Sequence, residues 1–192
     1  MALLPKAPLP LPDAPGYTAE EKAAFEREEL VGVTRMLANT GDLKMRDKFL
    51  THMGTNATSP AQFALLAELA RELGEMADGV RVAKLALRKN VVMIEAGWPR
   101  VKLPENLGVE PALALAITRQ ESEFDPSARS AANAQGMMQL LPATAKHVAD
   151  RNGFDYGRDT LSDPAANITL GSAYLGQIVD GFEGSYILGT AS

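Results

Sequence analysis

Between Gln120 and Gln139 the chain gathers side chains that can move a proton or grip a polar substrate: Glu121, Ser122, Glu123, Asp125 and Gln139. A carboxylic acid suits cleavage of a C–O bond whose leaving oxygen must be protonated, provided its surroundings favour the neutral form. Glu121 follows the apolar run Leu113 to Ile117. At 100° per residue it falls about 20° from Ala114 and about 40° from Ile117, so its stem is expected to leave on an apolar side. Burial there raises a carboxyl pKa, and Glu121 is expected to be such an acid. An ordinary glutamate in an ion pair at a helix end is the competing reading of the residue alone. Glu123 lies about 200° round if the helix continues, out of the same cleft. Asp125 precedes Pro126, where the helix must stop, and reads as a turn cap. The two-carboxylate pair of an ordinary glycosidase is not evident in this segment.

The elements that must hold these groups are helices. Glu110 and Pro111 start one, with proline in the first turn and an acid at the positive end of the helix dipole. Its near-continuous apolar character predicts passage through a core. Pro142 to Asn152 predicts a second, closed by Gly153. Asp163 and Pro164 cap a third, whose stripe Ile168, Gly171, Leu175, Ile178, Val179 and Phe182 shares one face. Gly171 in that stripe predicts close helix packing, and Tyr174 is placed to reach towards a cleft. Gly184 and Ser185 start a last helix over Tyr186 to Ser192.

Earlier in the chain, Thr18 and Glu21 have capping-box spacing, predicting a helix from Ala19 to about Asn39. Thr40 and Gly41 end it, and Asp42 caps a second helix through Leu50, with a loop from Gly54. Ser59, Pro60 and Gln62 repeat the start signal for a helix to Leu73 and Gly74. Asp78 is read as the cap of the next, to Lys89. Met36 through Asp42 aligns with Leu69 through Glu75 at an offset of about 33 residues, the period of helix-turn-helix repeats that stack into α-solenoids. His52 and Arg71 read as surface residues of this scaffold. The expected organisation is a Pro-rich, polyproline-like lead-in (1–17), a helical-repeat region (18–97), a linker (98–109) with Pro99, Pro104 and Gly108, and a chemistry-bearing domain (110–192). The fold class is all-α.

A larger pattern runs through the second half. Glu121, Ser122, Phe124, Pro126, Ala128 and Ser130 are followed by Ala134, Gly136, Met138, Gln139, Pro142, Thr144 and Ala145. Asp163, Pro164, Asn167, Ile168, Leu170, Gly171, Tyr174 and Leu175 continue it at fixed spacing. The pattern resembles the soluble lytic murein transglycosylases, whose catalytic domain is lysozyme-like and, in the large members, follows a helical solenoid. The resemblance implies cleavage of the β-1,4 bond between N-acetylmuramic acid and N-acetylglucosamine in peptidoglycan glycan strands. The muramyl 6-hydroxyl then closes on C1 to give a 1,6-anhydro product, with Glu121 as the single general acid and base. It implies that Ser122 orients the site and that Gly136 lets sugar approach the backbone. Met138 and Gln139 line the groove, while Met137 reads as core. It also implies a periplasmic location and no cofactor or metal. In the family the last helix leads into a Tyr-Asn-Ala-Gly segment whose tyrosine assists the reaction. That segment is expected to begin where Ala191 and Ser192 stand, so the domain reads as C-terminally truncated. The alternatives are a hydrolytic muramidase of similar fold, with Asp125 as base, and a non-catalytic helical-repeat module that binds glycan or a partner.

Composition narrows the classes. Net charge is −5 without a basic patch, which disfavours nucleic acid as partner. No apolar run reaches the roughly 18 residues that span a bilayer. The first seventeen residues carry five prolines, unlike a helical signal-peptide core. There is no cysteine, which removes thiolate chemistry and disulfides. His147 has no partner spacing for a metal, and Asp155, Asp159 and Asp163 lack the loop spacing of a calcium site.

Overall fold

The computed structural model describes residues 11–191 and has two compact units, Met1–Pro99 and Arg100–Ser192. The polyproline reading of the lead-in falls partly on residues 1–10, outside the described residues; residues 11–17 have no regular secondary structure. Ser192, the last position of the expected terminal helix, also lies outside them. The described residues are all-α, with two isolated bridges, Arg129 to Gln135 and Gln135 to Leu140, in place of any strand. Among them no helix is long and apolar enough to cross a membrane.

In the first unit Thr18 and Glu21 form the capping box of α1 (Ala19–Glu26). The helix expected to reach Asn39 is interrupted at Arg27 and Glu28, and α2 (Glu29–Thr40) starts afresh. Phe25 and Val31 are both buried. On one continuous helix they would stand about 120° apart, and the break turns both inwards. Asp42 caps α3 (Leu43–Asn56), which runs through the expected loop at Gly54. Ser59, Pro60 and Gln62 start α4 (Pro60–Leu73), and α5 (Met76–Leu87) follows. Gly54 stays helical under α5, where a Cβ would come within 2.7 Å of Leu85 Cδ1. Gly41 and Gly74, with φ of 78° and 84°, close α2 and α4 in the left-handed conformation. The two joints give the pairs α2–α3 and α4–α5 the same construction. Leu50, Phe63, Leu66, Leu69 and Val82 lie in their common core. A short α6 (Ile94–Gly97), without a sequence signal, ends the unit.

Asp78 does not cap α5. The cap position is Glu75, and Asp78 is buried in the first turn with 1% of its side chain exposed. Its Oδ1 accepts from Arg81 Nη1 at 2.9 Å. Its Oδ2 lies 3.0 Å from Arg46 Nη2 but off the hydrogen-bond line, so that contact is between charges. Arg46 directs Nε and Nη2 to Asp47 instead. Burial, then the Asp47 carboxylate, push the Asp78 carboxyl up to about 6, against the pull of both guanidiniums.

The second unit holds α7 (Pro111–Glu121), α8 (Pro142–Asn152), α9 (Pro164–Gly181) and α10 (Tyr186–Ala191). Asp163 caps α9 by accepting from Ala166 N at 2.7 Å. Leu140, Val148, Leu161 and Leu170 pack in a core between α8 and α9. The passage of α7 through a core is not what forms: only Ala114 and Thr118 are buried on it. The residues around them, although apolar, are small or half-exposed, so α7 carries one narrow buried seam.

Candidate active site

Glu121 is the last residue of α7, and it is exposed. Helix geometry sets it on the side of Ala114, but the buried seam does not extend one further turn to cover it. The expected desolvation is therefore absent. Its side chain makes no ion pair among the described residues, so the competing reading of a salt-bridged helix end does not hold there either. The chain turns away at once. Ser122 ends the helix at φ −137°, and Glu123 and Phe124 follow with φ of 58° and 69°. Two successive left-handed residues other than glycine cost roughly 1–2 kcal/mol each, a cost offset in part by burying the Phe124 ring, 3% exposed. Strain concentrated directly behind a carboxylate is a common property of functional sites.

Asp125 is committed to the turn, its Oδ1 accepting from the backbone N and the hydroxyl of Ser127, both at 2.7 Å. The chain then forms a small hairpin. Gly136 N donates to Ala128 O at 2.9 Å, and Ser130 N donates to Ala134 O at 3.0 Å. At the tip Arg129 donates to the side-chain oxygens of Asn133 and Gln135, each at 3.1 Å.

The segment Gly136 to Gln139 follows. Gln139 has φ 48°, and its Nε2 donates to Ala128 O at 3.1 Å and Gly136 O at 2.9 Å. Its amide nitrogen is thus spent on the backbone, while the Oε1 remains the acceptor it can offer to a ligand. Met138 was expected on the groove; it is buried, 6% exposed, against Gly171 of α9, where a Cβ would meet its Sδ at 2.5 Å. Met137 is buried as well. Gly136, expected to admit sugar, has φ 74° and lies against Asn167 and the Leu161 carbonyl. Its missing side chain makes room for protein. Tyr174 is exposed on α9.

Ser122 joins this segment to α7. Its hydroxyl donates to Met137 O at 2.7 Å and lies 3.3 Å from Thr118 O. Sequence reading noted Asn167 as part of the pattern and gave it no role. It is fully buried, accepts from Met138 N at 2.8 Å, and donates to Gln135 O and Leu161 O, both at 3.0 Å. The available signal was an amide beside Leu170 and Gly171 on the apolar face of α9, since a buried polar group needs partners.

A cavity of about 590 Å³ in the first unit is lined by Tyr17, Glu68, Arg71 and Met93 among others. It collects no paired acid and nucleophile, and the arrangement of side chains, not cavity volume, places the candidate site at α7 and the hairpin.

Residues 102–192 match the family described as Transglycosylase SLT domain. The match takes in all but the first two residues of the second unit. The SLT domain extends over the whole of the site just described. A Haemophilus influenzae protein named "Putative soluble lytic murein transglycosylase" is 32% identical over 94% of this chain, which covers 31% of that protein. The soluble lytic murein transglycosylase of Salmonella typhimurium is 35% identical over 44% of the chain, or 13% of its own length. The chain thus spans less than a third of these relatives. Among solved structures, the lytic transglycosylase Slt of Pseudomonas aeruginosa, in the form of an inactive glutamate-to-glutamine mutant, superposes with a TM-score of 0.78 at 25% identity, over 92% of this chain and 30% of that one. The 70 kDa soluble lytic transglycosylase of Escherichia coli gives 0.70 at 22% identity, over 92% and 29%. At 92% of this chain, each superposition includes residues of both units.

Proposed function

We propose that the SLT domain cleaves the β-1,4 bond between N-acetylmuramic acid and N-acetylglucosamine in peptidoglycan and closes the muramyl 6-hydroxyl on C1. Glu121 is the general acid for the leaving oxygen and then the base for that hydroxyl. The observation that carries this reading is the position of Glu121. Its carboxylate stands open to a ligand at the strained end of α7, and the segment bearing Gln139 is bonded to the next residue through Ser122. One carboxylate suffices because the nucleophile is already part of the substrate, and effective molarities of roughly 10⁵ M and above replace an activated water. The substrate acetamido group stabilises positive charge at C1, as in substrate-assisted glycosidases. Support also comes from the Pseudomonas aeruginosa relative, inactive with a glutamine in place of a glutamate.

A hydrolytic muramidase would need a second carboxylate as base, and Asp125 already holds Ser127 through Oδ1. In this reading the Gln139 Oε1 accepts from a sugar amide or hydroxyl, and Tyr174 borders the glycan. Residues 18–97 serve as a helical-repeat scaffold, 98–109 as linker and 110–192 as the catalytic domain, with action in the periplasm. Digestion of sacculi followed by mass spectrometry tests the proposal. Anhydromuramyl ends that vanish in Glu121→Gln support it; reducing ends, or turnover that survives the substitution, refute it.

A further inference from the structure

Met137 O and Met138 N belong to the same peptide group. Ser122 Oγ donates to its oxygen at 2.7 Å, and Asn167 Oδ1 accepts from its nitrogen at 2.8 Å. This one amide plane is therefore held at both ends, from the residue after Glu121 on one side and from α9 on the other. The Asn167 side chain cannot turn to release it without breaking its two donated bonds to Gln135 O and Leu161 O. The amide sits in the room that Gly136 leaves by lacking a side chain, where a Cβ would come within 2.3 Å of Asn167 Nδ2. A chain of aligned donors and acceptors in a buried setting polarises along its length, so each bond strengthens the other. The next residue in the segment is Gln139, held at φ 48°. A rotation of the clamped plane would move Gln139 and loosen the Ser122 hydroxyl together.

We propose that Asn167 is a positioning residue: through the Met137–Met138 peptide and Ser122 it sets the separation and orientation of Glu121 relative to Gln139. The proposal rests on the reading that Glu121 and Gln139 meet the same glycan. Asn167 touches no substrate in this account; it acts by fixing two groups that do. Misplacement of about 1 Å between a catalytic group and its substrate is worth up to about a hundredfold in rate, so small rotations of this plane matter to turnover before they matter to folding.

The test compares the full chain with Ser122→Ala, Asn167→Ala and the double variant on purified glycan strands, at a temperature where circular dichroism shows each folded. Each single variant is expected to lower kcat about ten- to hundredfold with KM within about threefold. The double variant should fall little below the worse single one, because both residues hold one peptide. Unchanged kcat, a loss confined to KM, or losses that multiply in the double variant overturn the proposal. If Asn167→Ala does not fold, Ser122→Ala carries the test through hydrogen exchange at Met138 N–H, the proton that Asn167 accepts. Exchange accelerated about tenfold or more alongside the kcat loss supports coupling through the plane, and unchanged exchange overturns it. Lack of turnover by the unsubstituted chain would be a failure of the functional reading instead. The clamp is then judged on hydrogen exchange at Met138 N–H alone: acceleration of about tenfold or more in Ser122→Ala supports it, and unchanged exchange overturns it.

Discussion

Gly136 and Asn167 share one space: a methyl group on Gly136 would stand 2.3 Å from Asn167 Nδ2 and 2.1 Å from the Leu161 carbonyl oxygen. Both distances are far inside contact, and the carbonyl is backbone that cannot swing aside. The left-handed φ of 74° adds its own cost for any residue with a Cβ. Gly136→Ala should therefore destabilise the second unit by about 3 kcal/mol or more. Gly171→Ala is expected to cost less, about 1–3 kcal/mol, because part of what it meets is the flexible Met138 thioether, at 2.5 Å. Denaturant titration of the two variants checks the order; equal midpoints would contradict it.

Glu121→Gln should separate activity from stability. The side chain is exposed at a helix end and holds no ion pair among the described residues. Its loss is expected to shift unfolding by no more than about 0.5 kcal/mol, while turnover falls by about a hundredfold or more with the proton donor gone. Thermal melts and anhydromuramyl product yield, measured on the same preparation, give the comparison.

Gln139→Gly is a sharper probe of glycan contact than an alanine change. The backbone there, at φ 48°, suits glycine, so the substitution keeps the conformation while deleting the amide. We expect KM for glycan strands to rise about tenfold, the cost of about one hydrogen bond to the sugar, with the fold intact by circular dichroism. An unchanged KM would remove Gln139 from the groove.

In the first unit, Asp78 predicts a pH effect of definite sign. Its carboxyl is raised in the folded chain to about 6 from an ordinary 3.8 by burial and by Asp47. The folded state therefore holds the proton more tightly than the unfolded one. The associated stability is fully present below about pH 4 and is lost as pH rises through 6, by up to ~3 kcal/mol. The difference in unfolding free energy between the chain and Asp78→Asn should shrink by that order from pH 4 to pH 7. A difference that is flat with pH would mean the two guanidiniums cancel burial and Asp47; one that grows with pH would mean they outweigh them.

Much of the helical framework was legible because its signals are local. Ser59, Pro60 and Gln62, or Asp163 and Pro164, announce a helix start through bonds made within three residues. Gly41, Gly74 and Gly153 announce the ends for the same reason. The misreadings all involve partners far along the chain. Asp78 looks like a cap until the packing of α3 against α5 buries it beside Arg46 and Asp47. The break at Arg27 and Glu28 has no glycine or proline, and follows from Phe25 and Val31 seeking one core. At the site, helical angles placed Glu121 correctly on α7 yet gave no hint of how far the buried seam extends. Met138, read as groove, went to Gly171, and Gly136, read as room for sugar, went to Asn167. The Ser122 hydroxyl was expected to orient the site, and the bond it makes to Met137 O depends on a turn that residue order alone does not reveal.

The seating of Gly108 on α9 has a mechanical consequence. A Cβ there would lie 2.4 Å from Ser172 O, one on Gly176 would lie 2.5 Å from Gly108 O, and Gly108 N reaches Ser172 Oγ at 3.4 Å. The chain leading into α7 is thus pinned to the longest helix of the SLT domain two residues before Glu110. A side chain at Gly108 or Gly176 would lever that chain off α9, and the entry of the helix that presents Glu121 would shift with it.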